Sequence, residues 1–214
     1  MPGDITGRVT DSKAWSQDTR GHERTDPWFA TRGAGVVSLV LFTVVLCLGV
    51  LTVMRWQSPS WPRFLTAELH RNLALLSVVF LGIHIVTAVL DPYTSLGLIA
   101  AAIPFASSYR PLWVGLGVIS VDLGLAVLAT SLLRARIGQR VWRAVHWLAY
   151  GSWPLAVAHS IGSGSDASAP WMIAIDAVCI GVVVLAVGWR IVAGQSNRRE
   201  LPAIVAGARA RASR

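Results

Sequence analysis

Five apolar runs, each long enough to cross a hydrocarbon core, constrain this chain more than any other feature of it. They lie at roughly 35–54, 64–90, 112–133, 141–161 and 171–193, and a core of about 30 Å takes about 20 helical residues. With 54% of its 214 residues hydrophobic and only 14% charged, the chain is too apolar for an ordinary soluble domain of this length. The expectation is an all-α integral membrane protein, a bundle of about five transmembrane helices set in a lipid bilayer.

What flanks the runs is short. Residues 1–34 read as a flexible polar tail without the apolar core of a cleavable signal. Residues 194–214 ("GQSNRRELPAIVAGARARASR") read as a basic tail suited to anionic headgroups. The segment between them, 35–193, leaves no room for a soluble nucleotide-binding or flavin-binding module, and nucleic acid is not an expected partner. Cys47 and Cys179 lack CxxC spacing, so no thiolate metal site or redox pair is expected. No internal repeat stands out in the sequence.

Basic residues sort the connections by side. Arg55, Arg63 and Arg71 surround the first, Arg134, Arg136, Arg140 and Arg143 the third, and six arginines follow Val187, whereas the second connection holds Arg110 and the fourth ("GSGSDASAP") none. Lys and Arg in short loops stay in the cytoplasm. The carboxyl terminus is therefore expected inside and the amino terminus outside, in the cytoplasmic (plasma) membrane. Spans two and four then run parallel. The second connection carries an apolar stretch of about ten residues, too short to cross, and is expected to lie in the interface or fold over the outer end as a lid.

Ionisable side chains inside spans are costly and tend to mark a functional path. Span two carries "HRNLALLSVVFLGIH", with His70 and His84 at its ends, and span four carries His146 and His159. In parallel helices these form two levels, His70 with His146 near the cytoplasmic side and His84 with His159 near the outer side. A haem takes one imidazole above and one below its plane. Fourteen residues separate the histidines of span two by about 21 Å and thirteen those of span four by about 20 Å, so two haems stacked across the bilayer are expected. Fourteen steps of about 100° return to within roughly 40° of the same face, but thirteen leave the rings of span four about 140° apart. Pro154, with Gly151 one turn before it, is the expected source of a correcting kink.

The spacings H-x13-H and H-x12-H two spans apart resemble the ferric reductase-like transmembrane domain shared by NADPH oxidases, ferric reductases and the haem subunit of bacterial methionine sulfoxide reductase systems. The stretch "SSYRPLWVGLGVISVDLGLAVLATSLLRARIGQRVWRAVHWLAYGSWPLAVAHSIGSGSD" looks like small actinobacterial members, and the likeness covers about 35–193. The resemblance implies that His70, His84, His146 and His159 are axial ligands of two b-type haems. It also implies outward electron flow from a cytoplasmic donor, a separate flavin-dependent reductase, to an external acceptor such as ferric iron, oxygen or a partner redox protein. The chain is expected to lack the first span and the fused flavin and nicotinamide domain of larger members, and to hold no flavin or NAD site itself.

Haem propionates favour arginine at the membrane surface. Arg71, Arg140 and Arg143 are placed for the inner level, and Arg110 with Tyr93 for the outer; topological anchoring is the plainer alternative for each. Asp122 and Asp176 are candidates to accept a ligand histidine's second ring proton or to bond hydroxyls such as Thr130 and Ser131. Most of the ten tryptophans fall near span ends, as interface anchors do, while Trp147 and Trp153 are candidates to pack on a macrocycle. Two other functions compete: a quinol-linked cytochrome b, and a non-redox membrane protein whose histidines bind metal ions or shuttle protons.

Overall fold

A computed structural model describes residues 6–54, 62–91, 96–164 and 167–212, with side chains from Phe29 to Gly194 except Arg63. Its regular elements are all helical: α1 (Thr6–Val53), α2 (Arg63–Leu90), α3 (Leu98–Ala102), α4 (Pro111–Leu132), α5 (Arg134–Ile137), α6 (Gln139–His146), α7 (Ala149–Ser163) and α8 (Pro170–Ala212). Among the described residues four helical stretches are long and apolar enough to cross a membrane: Phe29–Val53, Phe64–Leu90, Pro111–Leu132 and Pro170–Gly194. Helices satisfy their own backbone polar groups, which is what a segment in hydrocarbon requires. Large apolar side chains such as Leu75, Val79, Ile83 and Val86 are exposed along α2, as lipid-facing positions are in a multi-pass membrane protein.

Local chemistry sets the ends of these helices. Pro111 and Pro170 open α4 and α8, at the first helical position where a missing N–H costs nothing. Gly138, at φ 81°, separates α5 from α6 in a backbone conformation that disfavours other residues.

Two expectations change, and the second connection gains a helix. The polar stretch before Phe29 and the basic stretch after Gly194 are not irregular tails: α1 starts at Thr6 and α8 continues to Ala212. Extending an existing helix fixes one residue per new bond, far less costly than nucleating one. The apolar part of the second connection forms the short helix α3. The fourth run is not one helix but two, α6 and α7, broken at Trp147–Leu148, which is why it is absent from the four long apolar helices.

That break lies upstream of Pro154, which sits inside α7. Around it Leu148, Tyr150 and Gly151 donate to Val145, Trp147 and Leu148, three bonds of i→i+3 type. Such turns advance about 120° per residue rather than about 100°. Each tightened step therefore adds roughly 20°, in the direction that closes the phase gap between His146 and His159.

The chain divides into two compact units. One comprises residues 1–39 and 76–163 and buries Ala34, Leu39, Val114, Val118, Trp153 and Val157. The other comprises 40–75 and 164–214 and buries Val45, Leu46, Val50, Met172, Cys179 and Val183.

Candidate haem-ligand site

The imidazoles of α2 are held by α1. His84 Nδ1 donates to the Thr31 carbonyl at 2.8 Å, and His70 Nδ1 donates to the Val45 carbonyl at 2.9 Å. Four residues beyond each acceptor α1 carries a glycine. A Cβ on Gly35 would stand 2.9 Å from His84 Nδ1, and one on Gly49 would stand 3.4 Å from His70 Cε1. Helical Cα–Cβ bonds tilt toward the N-terminus, so a side chain at i+4 leans over the carbonyl of residue i. Glycine leaves that carbonyl open, and the imidazole fills the space.

α4 and α7 repeat the arrangement. His159 Nδ1 donates to the Trp113 carbonyl at 2.9 Å, and Gly117, four residues on, has room for only a hydrogen, because a Cβ would be 2.5 Å from that same Nδ1. A carbonyl can only accept, so in all three histidines the proton is on Nδ1. The lone pair is then on Nε2, the form in which imidazole binds a metal.

Two of these rings face one another. The centroids of His84 and His159 are 6.2 Å apart with planes at 82°. Metal–nitrogen bonds of about 2 Å, with each nitrogen about 1.1 Å from its ring centre, put two opposed ligands roughly 6.3 Å apart. The separation fits two axial ligands of a single iron. Among the described residues no three His, Cys, Asp or Glu side chains converge as a protein-only metal site would require.

The two helical pairs share more than their histidines. Ser38 and Ser77 bond each other's carbonyls reciprocally between α1 and α2, at 3.5 and 3.4 Å. Ser120 and Ser152 do the same between α4 and α7, both at 2.9 Å. Each α7 or α2 serine is seven residues before its histidine, and each α1 or α4 serine seven after the carbonyl that holds that histidine. Seven residues are close to two turns, so serine and niche share a face. The structure thus contains an internal repeat where the sequence displayed none.

His146 stands in different surroundings. Its ring lies 4.9 Å from that of Trp142, tilted 30°, and Trp147 has its ring 5.1 Å from that of Tyr150. Extending the α4–α7 register leads to the carbonyls of Ala126 and Val127. Both are taken by hydroxyls four residues on: Thr130 Oγ1 donates to Ala126 at 2.7 Å and Ser131 Oγ to Val127 at 2.7 Å. Ser131 also accepts from Trp142 Nε1 at 3.2 Å.

The remaining candidates are dispersed. Arg110 Nη1 donates to the Gly162 carbonyl and Tyr109 Oη to that of Ser163, so both hold the C-terminal turn of α7. Arg71 pairs with Glu68 at 3.2 Å on the exposed side of α2. Arg140 and Arg143 are exposed on α6, and Tyr93 lies outside the described residues. Asp122 is exposed on α4 and Asp176 buried on α8. The Nδ1 acceptors for His70, His84 and His159 are main-chain carbonyls, and Thr130 and Ser131 also bond main chain. Gly35, Gly49, Gly117 and the four serines are what sequence reasoning missed. One signal was present: Gly35 and Gly49 are separated by fourteen residues, as are His70 and His84 on the antiparallel neighbour.

Fold and site together define a multi-pass helical membrane protein with imidazoles presented from paired helices. The family model for the ferric reductase like transmembrane component matches residues 34–157, more than half of the chain, and the protein belongs to that family. The match contains His70, His84 and His146 and stops two residues before His159. No curated protein and no solved structure matches the chain. Membership makes it a membrane component of redox electron transfer.

Proposed function

We propose that the chain is a di-haem cytochrome b that carries electrons across the cytoplasmic membrane. The observation that supports this most directly is the His84–His159 pair, 6.2 Å between centroids, with both Nδ1 protons committed to backbone carbonyls. These two histidines would hold one haem, and His70 and His146 would be the ligands of the second. Held there, haem would supply a reversible one-electron iron centre.

The chain's own residues supply the rest. Nδ1–H bonds to carbonyls orient each ring and raise the basicity of Nε2. The apolar helices around the pair exclude water. Arg110 and Tyr109 fasten the end of α7 just beyond His159, so the ligand turn cannot fray. The distribution of arginines supports an inside carboxyl terminus and an outside amino terminus, with electrons entering from a separate cytoplasmic flavin-dependent reductase. The exposed Arg134, Arg136, Arg140 and Arg143 on α5 and α6 offer that reductase an electrostatic landing face.

The test is a pyridine haemochrome assay on purified protein, with reduced-minus-oxidised spectra. Two haems per chain are expected, and His84→Ala should lose half of the signal. Colourless wild-type protein, or His84→Ala that keeps both haems, overturns the proposal.

A further inference from the structure

We propose that Gly35, Gly49 and Gly117 are positioning residues for the haem-ligating histidines, each acting by leaving open the main-chain carbonyl that fixes its histidine's tautomer and aim. The inference rests on the di-haem reading above and adds to it the residues that preset the ligands.

Three independent niches have the same composition. In each, a carbonyl at i accepts from imidazole Nδ1, at 2.8 Å for Thr31, 2.9 Å for Val45 and 2.9 Å for Trp113. In each, glycine stands at i+4 with the ring beside the place a Cβ would take. Any larger residue there has two effects. Its Cβ crowds the ring, closer than real contacts allow at Gly117 and Gly35 and at 3.4 Å at Gly49, and a hydroxyl, if present, bonds the carbonyl itself. The second effect is realised in the same protein, where Thr130 and Ser131 take the carbonyls of Ala126 and Val127.

Glycine as such is not what matters. A Cβ on Gly33, two residues before Gly35 on α1, meets nothing within 4 Å. One on Gly124, seven after Gly117 on α4, meets only Ser152 Oγ at 3.9 Å, an ordinary contact. The niche clearances also rank the sites. Gly117 is tightest at 2.5 Å, Gly35 follows at 2.9 Å, and Gly49 at 3.4 Å needs only a small adjustment of His70.

The experiment substitutes alanine singly at Gly117, Gly35 and Gly49, with Gly33→Ala and Gly124→Ala as controls in the full-length protein. Readouts are haem per chain by pyridine haemochrome, the low-spin EPR signals of the ferric protein, and a spectroelectrochemical titration of each centre. Gly117→Ala and Gly35→Ala should each remove or shift the same haem signal while leaving the other at its wild-type position. Gly49→Ala should keep full haem content and shift the other signal, and both controls should match wild type. Wild-type haem content, EPR signals and potentials in Gly117→Ala and Gly35→Ala overturn the proposal, as do controls that change as much as the niche variants. Should Gly117→Ala fail to accumulate, Gly35→Ala and Gly49→Ala decide alone. Wild-type protein without haem would sink the underlying reading, whereas two haems with indifferent glycines would sink only this one.

Discussion

The α1–α2 and α4–α7 pairs are two versions of one construction, and they differ in how tightly they are closed. Both have a histidine on a carbonyl–glycine niche and, two turns away, a reciprocal serine pair. In α1–α2 the serine bonds are 3.5 and 3.4 Å, at the edge of hydrogen-bond geometry. In α4–α7 they are 2.9 Å with both serines buried, and the glycine clearance is also smaller, 2.5 against 2.9 Å. Small residues let helix backbones approach in a membrane, where packing and interhelical hydrogen bonds replace the hydrophobic effect as the cohesive force. The comparison teaches that α7, shortened and broken, depends on close contact with α4. The unbroken α2 depends less on α1.

The largest effect separating the two should come from Ser152→Ala, which deletes a 2.9 Å bond to the Ser120 carbonyl. Loss of about 1–2 kcal/mol is expected, the upper part of the range for interhelical bonds in membranes, read as a lower Tm in detergent thermal-shift measurements. Ser77→Ala removes only a 3.4 Å contact and should cost about 0.6 kcal/mol or less. Equal losses in the two variants would mean that the pairs are equally closed and the contrast is wrong. The smallest effect belongs to Thr130→Val. Its hydroxyl bonds only to Ala126 and Val127 of its own helix, a bond that adds nothing between helices. Stability within about 0.5 kcal/mol of wild type is expected; a drop matching that of Ser152→Ala would show that the region opposite His146 is cross-braced after all.

A second contrast sets the three glycine niches against His146. The niches place their histidines through main chain, so they need no partner side chain, only the absence of one. His146 lies against an aromatic ring, with Trp142 tied in turn to Ser131. Position 146 is also where the phase had to be corrected, immediately before the break at Trp147–Leu148.

Much of the fold was legible because hydrophobic length in a bilayer is nearly a direct code. Phe64–Leu90, Pro111–Leu132 and Pro170–Gly194 coincide with apolar runs to within a residue or two. The fate of the fourth run was not legible, since Pro154 announces a disturbance but not where the chain relaxes it, and the relaxation fell upstream in i→i+3 turns. The helical continuation through both polar ends was also missed, because propensity is weak beside cooperative extension from an anchored span.

Apolar run length and residue spacing translate directly into distance along a helix, so the membrane-crossing helices and the spacing of histidines along them were legible in the sequence. Which atoms hold His70, His84 and His159 emerged only on packing. The acceptors are backbone carbonyls, which every residue possesses and no residue type signals. What selects Thr31, Val45 and Trp113 is the antiparallel register of two helices and a missing side chain four positions on, and register exists only once the helices have packed.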